Sequence, residues 1–367
     1  MLVVFAVALA AQVACWLALG AGFARAQRSG AQRHGTATAD IDTTAPLPIS
    51  VVIAARNEAE RLPALLDALA AQTHAEFEVI VVDDASDDET AALVEAQAAA
   101  DTRFRLVRVG EPVAPRKKHA LARGIAAARH ERLAFTDADC APPPGWLAGL
   151  ARHAVAEPGA VLVGYGPYRR APGVLNAFVR YETLVTALFT AAAVGWERPY
   201  MAVGRNFSYP KSLFDEIGGF EHSLASLSGD DDLLVQEVAR QDAAPVRYVF
   251  DPETFVPSEA PTTWRRWARQ KLRHTSAGTH YGRGVQVALT LFHGSNLLVW
   301  LAPLVLGWTG AAFLAGRFLV QRAVLRQAMQ TLGEADLTLA QPFLDALYLL
   351  YNTLLAPLGA VRKPTRW

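Results

Sequence analysis

Carboxylates crowd this chain at three places where their repulsion demands an explanation. Asp137 and Asp139 bracket Ala138 in "LAFTDADC", directly after a short apolar run. Asp83 and Asp84 close "FEVIVVDD", and Asp230, Asp231 and Asp232 stand side by side in "SGDDDLL". Acidic side chains this close repel unless water or a cation separates them. One acidic residue would suffice to cap the helix that "LLVQEVA" begins; three exceed that need. Carboxylate oxygens in such number suit a site that holds a cation and hydrogen-bonds a polar ligand.

A repeating unit positions them. Apolar, β-branched runs occur at "ISVVIAA" (49–55), "FEVIVVD" (77–83), "FRLVRV" (104–109) and "RLAFTD" (132–137). Between them lie Ala- and Leu-rich stretches with helical spacing, such as Leu62, Leu65, Leu66 and Leu69. Strand starts fall 27 or 28 residues apart, the repeat of successive βαβ units. The spacing predicts an α/β, Rossmann-like fold with a mainly parallel sheet. Ligands of such sheets sit beyond the carboxyl ends of the strands. There fall Ala55, Arg56, Asn57 and Glu58, the Asp83–Asp84 pair, and Asp137 to Asp139. A dinucleotide site would need G-x-G-x-x-G after the first strand, where the chain reads "AARNEAE". A phosphatase with an aspartyl nucleophile would carry its D-x-D after the first strand of the core, whereas here it follows the fourth.

The 367 residues leave room for two domain-sized units. Their 52% hydrophobic content collects at residues 2–24 and after about residue 285, leaving a middle of ordinary globular character. Lys and Arg number 35, as do Asp and Glu, so no nucleic-acid partner is expected. Two cysteines, Cys15 and Cys140, are too few for a disulfide framework or a cysteine zinc site, and fit a reducing, cytosol-facing location. Residues 2–24 are uncharged and long enough to span a bilayer. Arg25, Arg28 and Arg33 follow them and nothing basic precedes, which by the positive-inside rule puts the next domain in the cytoplasm. A cleaved signal peptide ending near "AGFARA" is the alternative.

Residues 285–316 are uncharged again, and "APLVLGW" can hold a tight turn. A transmembrane hairpin over 285–328 would return Arg317, Arg322 and Arg326 to the cytoplasmic side. The last apolar segment carries Asp345 and ends in Arg362, Lys363 and Arg366; it reads as a span or as a re-entrant or interfacial helix. The expected order is an anchor over 1–25, a linker over 26–47, a cytosolic domain over 48–284, the hairpin, and an amphipathic segment over 329–367. The setting is an integral protein of a bacterial-type inner membrane.

The stretches "ISVVIAARNE", "VIVVDDASDDET", "RKKHALARGI" and "LAFTDADC", in that order, resemble the nucleotide-sugar-binding half of family 2 glycosyltransferases. The similarity runs from about residue 48 to 276. It implies a GT-A domain, with 48–140 as the nucleotide-sugar half and 141–262 as the acceptor half, flanked by transmembrane helices. In that family the D-x-D ligates Mg²⁺ or Mn²⁺, which bridges the nucleotide diphosphate; such an ion neutralises charge growing on the leaving group. The resemblance makes Asp139 the first metal ligand, with Asp137 on the ribose or sharing the metal. It gives Asp83 and Asp84 contacts to base and ribose, and puts Ala55, Arg56, Asn57, Glu58 and Ala138 on the donor side. A turn or cap leading to Asp87 and Asp88 is the other reading of the Asp83–Asp84 pair. Lys117 or Lys118, opening a helix after Pro115, can reach a phosphate or form a solvated helix end; Lys118 is taken as the donor contact.

Residues 204–241 continue the likeness. In the family an acidic motif with a catalytic aspartate precedes Asp-Leu and a helix. Aligned on Asp232-Leu233, Asp230 becomes the candidate base and Asp231 the second. The base would deprotonate the acceptor hydroxyl as it attacks the anomeric carbon, a direct displacement that inverts configuration. Gly229 stands where many relatives have Glu. Gly204, Asn206 and Asp232 fall on the acceptor and diphosphate side. So do Gln270, Arg273 and His274, which resemble the Q-x-x-R-W motif of membrane-bound processive β-glycan synthases with His for Trp. Trp264, Trp267, Lys271 and His274, at helical spacing, equally form an amphipathic helix on a membrane surface over 263–284. The expectation is a membrane glycosyltransferase using a nucleotide-sugar donor, UDP-linked first, and a lipid or lipid-linked glycan acceptor. Processive polysaccharide synthesis and a catalytically silent nucleotide-binding subunit are the alternatives.

Overall fold

The computed structural model describes residues 1–40, 46–111 and 113–361. They divide into a helical unit, made of Met1–Ala26, Arg170–Arg198 and the residues from Ala260 onward, and an α/β unit containing Gln27–Arg169 and Pro199–Glu259.

The α/β unit is built on a seven-stranded sheet of order β3-β2-β1-β4-β6-β5-β7. Its strands are β1 Ile49–Ala55, β2 Phe77–Asp83, β3 Phe104–Arg108, β4 Arg132–Phe135, β5 Val161–Gly164, β6 Phe207–Pro210 and β7 Val246–Val249. β1 pairs in parallel with β2 and β4, and β2 with β3. β6 runs antiparallel to β4 and β5, while β5 and β7 are parallel. The sheet is thus mixed and mainly parallel. Every residue of β1, β2 and β4 is buried, which is why these runs are almost continuously apolar and do not alternate.

Helix Leu62–Ala70 buries the expected stripe Leu62, Leu65, Leu66 and Leu69, each burial contributing roughly 1.5–3 kcal/mol. Helix Arg116–Ala127 lies close over β1 and β2, because a Cβ on Gly124 would fall 2.5 Å from Val52 Cγ1 and 2.9 Å from Val82 Cγ2. That approach brings the start of the helix to the rim. Strand order reverses between β1 and β4, the position where doubly wound sheets open a crevice for ligands. At β4 the pairing also changes to antiparallel, and Arg132, 3% exposed, fastens the change. Its Nε donates to Ser208 Oγ and its Nη1 to the Ala160 carbonyl, each at 2.8 Å.

In the helical unit, helix Leu2–Asp40 runs past residue 25, the expected end of the anchor, into the stretch assigned to the linker; 41–45 lie outside the described residues. It meets helix Val174–Gly195 through glycines. A Cβ on Gly195 would fall 1.9 Å from the Gly22 carbonyl oxygen, so the backbones touch with no side chain between them. The Trp196 indole donates to the Ala18 carbonyl at 2.9 Å. Helices Arg283–Leu306 and Trp308–Thr331 form the hairpin, broken at Gly307 with φ +57° and closed by the Trp300 and Phe318 rings 5.5 Å apart.

Among the described residues, Leu2–Gln32, Val174–Gly195 and Arg283–Leu306 are long and apolar enough to cross a membrane. Arg180 and Glu182 interrupt the second of these and hid it from the sequence reading. Arg317 falls inside helix Trp308–Thr331, the second arm of the hairpin. It is 1% exposed and pairs inside the protein with Asp345 of helix Gln341–Leu350. Asp345 also accepts from Tyr181 Oη at 3.2 Å. Arg362, Lys363 and Arg366 lie outside the described residues.

Candidate active site

The loops after β1 and β2 are knitted to each other. Asn57, left-handed at φ +54°, donates its N–H to Ser86 Oγ at 3.0 Å and accepts from the Asp87 N–H at 2.8 Å. The Glu58 N–H reaches Thr90 Oγ1 at 2.9 Å, and the Ala59 N–H reaches Asp88 Oδ2 at 3.1 Å. Ala55 is buried, and its carbonyl accepts from the Asp84 N–H at 2.9 Å. Asp83, 4% exposed, accepts from the Ser86 N–H at 3.3 Å, a local turn of the kind aspartate favours. Asp84 has no exposed surface and faces Arg116 Nε at 2.9 Å. Burial raises its pKa, opposed by Arg116, Arg56 and His119. Asp83 thus closes the turn after β2, and Asp84 is engaged by Arg116.

Lys117 occupies the centre of the site. Its Nζ lies 3.0 Å from Asp137 Oδ1 and 2.9 Å from Asp230 Oδ2. Burial works to lower its pKa, but Asp137, Asp230 and Asp231 together outweigh burial and hold the ammonium charged well above the ordinary lysine value. One cation reconciles carboxylates from two distant parts of the chain. Lys118, expected on the donor side, is turned inward instead. It is 1% exposed and donates to the Ser223 and Ser226 carbonyls at 2.6 and 3.1 Å, and burial lowers its pKa to about 8. Adjacent helical residues point about 100° apart. Lys118 shares the i, i+3, i+7 stripe with Leu121 and Ile125, both buried, and that phase is readable in the sequence.

The acidic triplet divides its work. Asp231 caps helix Asp232–Gln241, accepting from the Asp232 N–H at 2.8 Å and the Gly204 N–H at 2.7 Å. Burial and Asp230 raise its pKa against the pull of Lys117. Asp232 accepts from the Ala202 N–H at 3.1 Å. Asp230, its side chain 11% exposed, presents its carboxylate to Lys117. Gly229 has φ +82°, and a Cβ there would lie 2.7 Å from Leu233 Cγ, so this backbone is strained for any residue with a side chain.

Lys117, Asp137, Asp230 and Asp231 line a narrow pocket with Ala54, Phe135, Thr136, Gly204 and Tyr209. Asp139 is half-buried beside Ala138, which is buried. Burial first and Asp137 second raise the Asp139 pKa, with Arg205 opposing. Glu58 belongs to the same neighbourhood: burial raises its pKa, Arg61 lowers it, and Asp139 and Asp137 raise it again. Among the described residues no three Asp, Glu, His or Cys side chains form a group able to hold a metal ion. The chain offers a pair, Asp137 and Asp139, the second with its charge undercompensated. Such hard oxygen donors fit Mg²⁺ or Mn²⁺ when a diphosphate and water supply the other ligands.

Asn206, expected on the acceptor side, is an internal tie. It has no exposed surface, donates to the Tyr165 and Thr254 carbonyls at 2.9 and 2.8 Å, and accepts from Trp146 Nε1 at 3.0 Å. Gln270, Arg273 and His274 lie on helix Trp264–Ala277 of the helical unit, the first two half-buried and His274 exposed. The stripe expected on a membrane surface is partly internal. Trp267 packs 5.2 Å from the Phe178 ring, and Lys271 pairs with Glu182. Arg265, Arg266 and Arg269 form the exposed face.

Residues 50–220 match the family model Glycosyl transferase family 2. The matched stretch runs from the second residue of β1 through β6, takes in Lys117, Asp137 and Asp139, and ends before the acidic triplet. The chain is 26% identical over 255 residues to "Probable glycosyltransferase YdaM" of Bacillus subtilis (strain 168), covering 66% of this chain and 56% of that protein. It is 27% identical over 259 residues to the pre-mycofactocin glycosyltransferase of Mycobacterium tuberculosis (strain CDC 1551 / Oshkosh), covering 69% and 52%. The chain thus spans about half the length of the curated relatives it matches. Among solved structures, the mannosyltransferase PcManGT from Pyrobaculum calidifontis, in complex with GDP-Man and Mn²⁺, aligns with a TM-score of 0.52 at 20% identity, over 93% of this chain and 99% of that one. The likeness is one of fold, and the fold is GT-A-like.

Proposed function

We propose that this protein is an inverting glycosyltransferase that moves a sugar from a nucleotide-diphosphate sugar, UDP-linked first, to a lipid or lipid-linked glycan at the cytoplasmic membrane face. One observation carries the reading: Asp137 after β4 and Asp230 before helix Asp232–Gln241 meet on Lys117 where the strand order reverses. A structural domain has no need to gather acidic groups there.

In this reading Asp139 and Asp137 hold Mg²⁺ or Mn²⁺, which when bound neutralises charge on the leaving diphosphate. Asp230 takes the proton of the acceptor hydroxyl, a role worth about 10²–10⁴ in rate. The acceptor oxygen attacks the anomeric carbon as the bond to the diphosphate breaks, and no covalent intermediate is needed. Asp231 and Asp232, tied to backbone N–H groups, fix the loop that aims Asp230. Phe135, Phe207 and Tyr209 give the pocket apolar walls that limit water. Three apolar helices support membrane attachment. The basic face of helix Trp264–Ala277 supports an anionic surface beside it, with Gln270, Arg273 and His274 assigned to the acceptor or diphosphate.

The test is a donor screen on the full-length protein with Mn²⁺ and a membrane lipid extract, reading released UDP or GDP. Turnover with one donor, lost in Asp139→Ala and Asp230→Ala, is expected. No turnover with any donor rejects the proposal in favour of a silent nucleotide-binding subunit, and products of growing length reassign it to processive synthesis.

A further inference from the structure

Lys117 touches two carboxylates that the proposed function gives to opposite partners, Asp137 to the donor and Asp230 to the acceptor hydroxyl. The ammonium stands 3.0 Å from one and 2.9 Å from the other, on a side chain 18% exposed. An ammonium this close occupies the carboxylate oxygen that an acceptor hydroxyl would have to approach. A lysine ammonium is a point charge with three hydrogens on a flexible stem, so it exchanges partners without backbone movement. Three neighbouring cations are engaged elsewhere: Arg116 with Asp84, Lys118 with two carbonyls, Arg205 with the Gly166 carbonyl and the Tyr168 ring.

We propose that Lys117 makes the base conditional on the donor: without nucleotide it holds Asp230, and an arriving diphosphate draws the ammonium away, freeing that carboxylate for the acceptor's proton. The inference rests on the glycosyltransferase reading. In the step that follows, the acceptor O–H proton passes to Asp230 and the acceptor oxygen bonds to the anomeric carbon. The bond from that carbon to the diphosphate oxygen breaks, and its electron pair leaves on the diphosphate, where Lys117 meets the new charge. Lys117 keeps its proton throughout.

The experiment measures UDP and GDP binding by calorimetry with Mn²⁺, on the full-length wild type, Asp230→Asn, Lys117→Met and the double variant. Breaking the Lys117–Asp230 pair opposes binding in the wild type. Asp230→Asn is therefore expected to bind nucleoside diphosphate about tenfold tighter, the scale of one hydrogen bond to a charged group. The gain is expected to vanish when Lys117 is Met. A gain of equal size in both backgrounds means simple repulsion between Asp230 and phosphate and overturns the proposal, as does unchanged or weaker binding in Asp230→Asn. If Lys117→Met does not fold, Asp230→Asn and the double variant still decide. The double variant must bind about tenfold weaker, and equal affinities sink the idea. Failure of all proteins, wild type included, to bind either nucleotide rejects the glycosyltransferase reading itself, and the gate with it.

Discussion

The Trp146 indole donates to Asn206 Oδ1 at 3.0 Å, and neither side chain has any exposed surface. Asn206→Ala would leave that indole and the Thr254 carbonyl without their partner, while the Tyr165 carbonyl keeps the Val256 N–H at 3.1 Å, and each such orphan costs about 1–3 kcal/mol. Denaturant unfolding should show a loss of about 3 kcal/mol or more, while the activity of the folded fraction changes little. A stable variant with a raised acceptor KM would return Asn206 to the acceptor site.

Asp230 and Asp231 should separate cleanly. Asp230→Asn is expected to lower transfer by about 10²–10⁴ with the melting temperature nearly kept, since Lys117 retains Asp137. Asp231→Ala removes a helix cap worth about 1–2 kcal/mol, so melting should fall by several degrees with a smaller loss of turnover. Nucleotide release and thermal unfolding on both variants check this, and the reverse pattern would exchange their roles.

Lys118 gives the fold a pH signature. Its native value of about 8 lies below the value of about 10.4 in an unfolded chain. Between the two, the unfolded state binds more protons than the native one, so this lysine makes stability rise with pH across that window. The unfolding free energy of the wild type relative to Lys118→Met should climb from pH 8 to pH 10. A flat difference would contradict the buried ammonium.

Metal binding should depend on nucleotide. Because no three carboxylate, histidine or cysteine side chains form a group able to hold an ion among the described residues, Mn²⁺ is expected to bind weakly alone and tightly with UDP or GDP. Asp139→Ala should lose the nucleotide-dependent part, measured by Mn²⁺ paramagnetic resonance. Tight Mn²⁺ binding without nucleotide would point to another site.

The first half of the sheet is legible in the sequence because β1, β2 and β4 are fully buried: the runs at 49–55 and 77–83 coincide with β1 and β2, and β3 and β4 end within two residues of expectation. β5, β6 and β7 are four residues each, too short for any period to show, and the antiparallel direction of β6 follows from its place in the sheet. At the site, residue types were readable and partners were not. Asp230 was named from its neighbours in sequence, but Lys117 faces it only because Gly124 lets its helix settle on β1 and β2. Asn206 looked available for ligand because polar residues in "GRN" give no sign of burial.

Residues 170–198 leave the α/β unit between β5 and β6 and belong to the helical one, and the apolar window of helix Val174–Gly195 is 78% buried. Trimming both ends of the polypeptide therefore does not isolate the α/β unit. It strips this excursion of its company and leaves a bare greasy rod in mid-chain. An engineer who wants the sheet by itself must splice that rod out and bridge Arg169 to Pro199. During synthesis, too, the first helix waits for a partner made long afterwards.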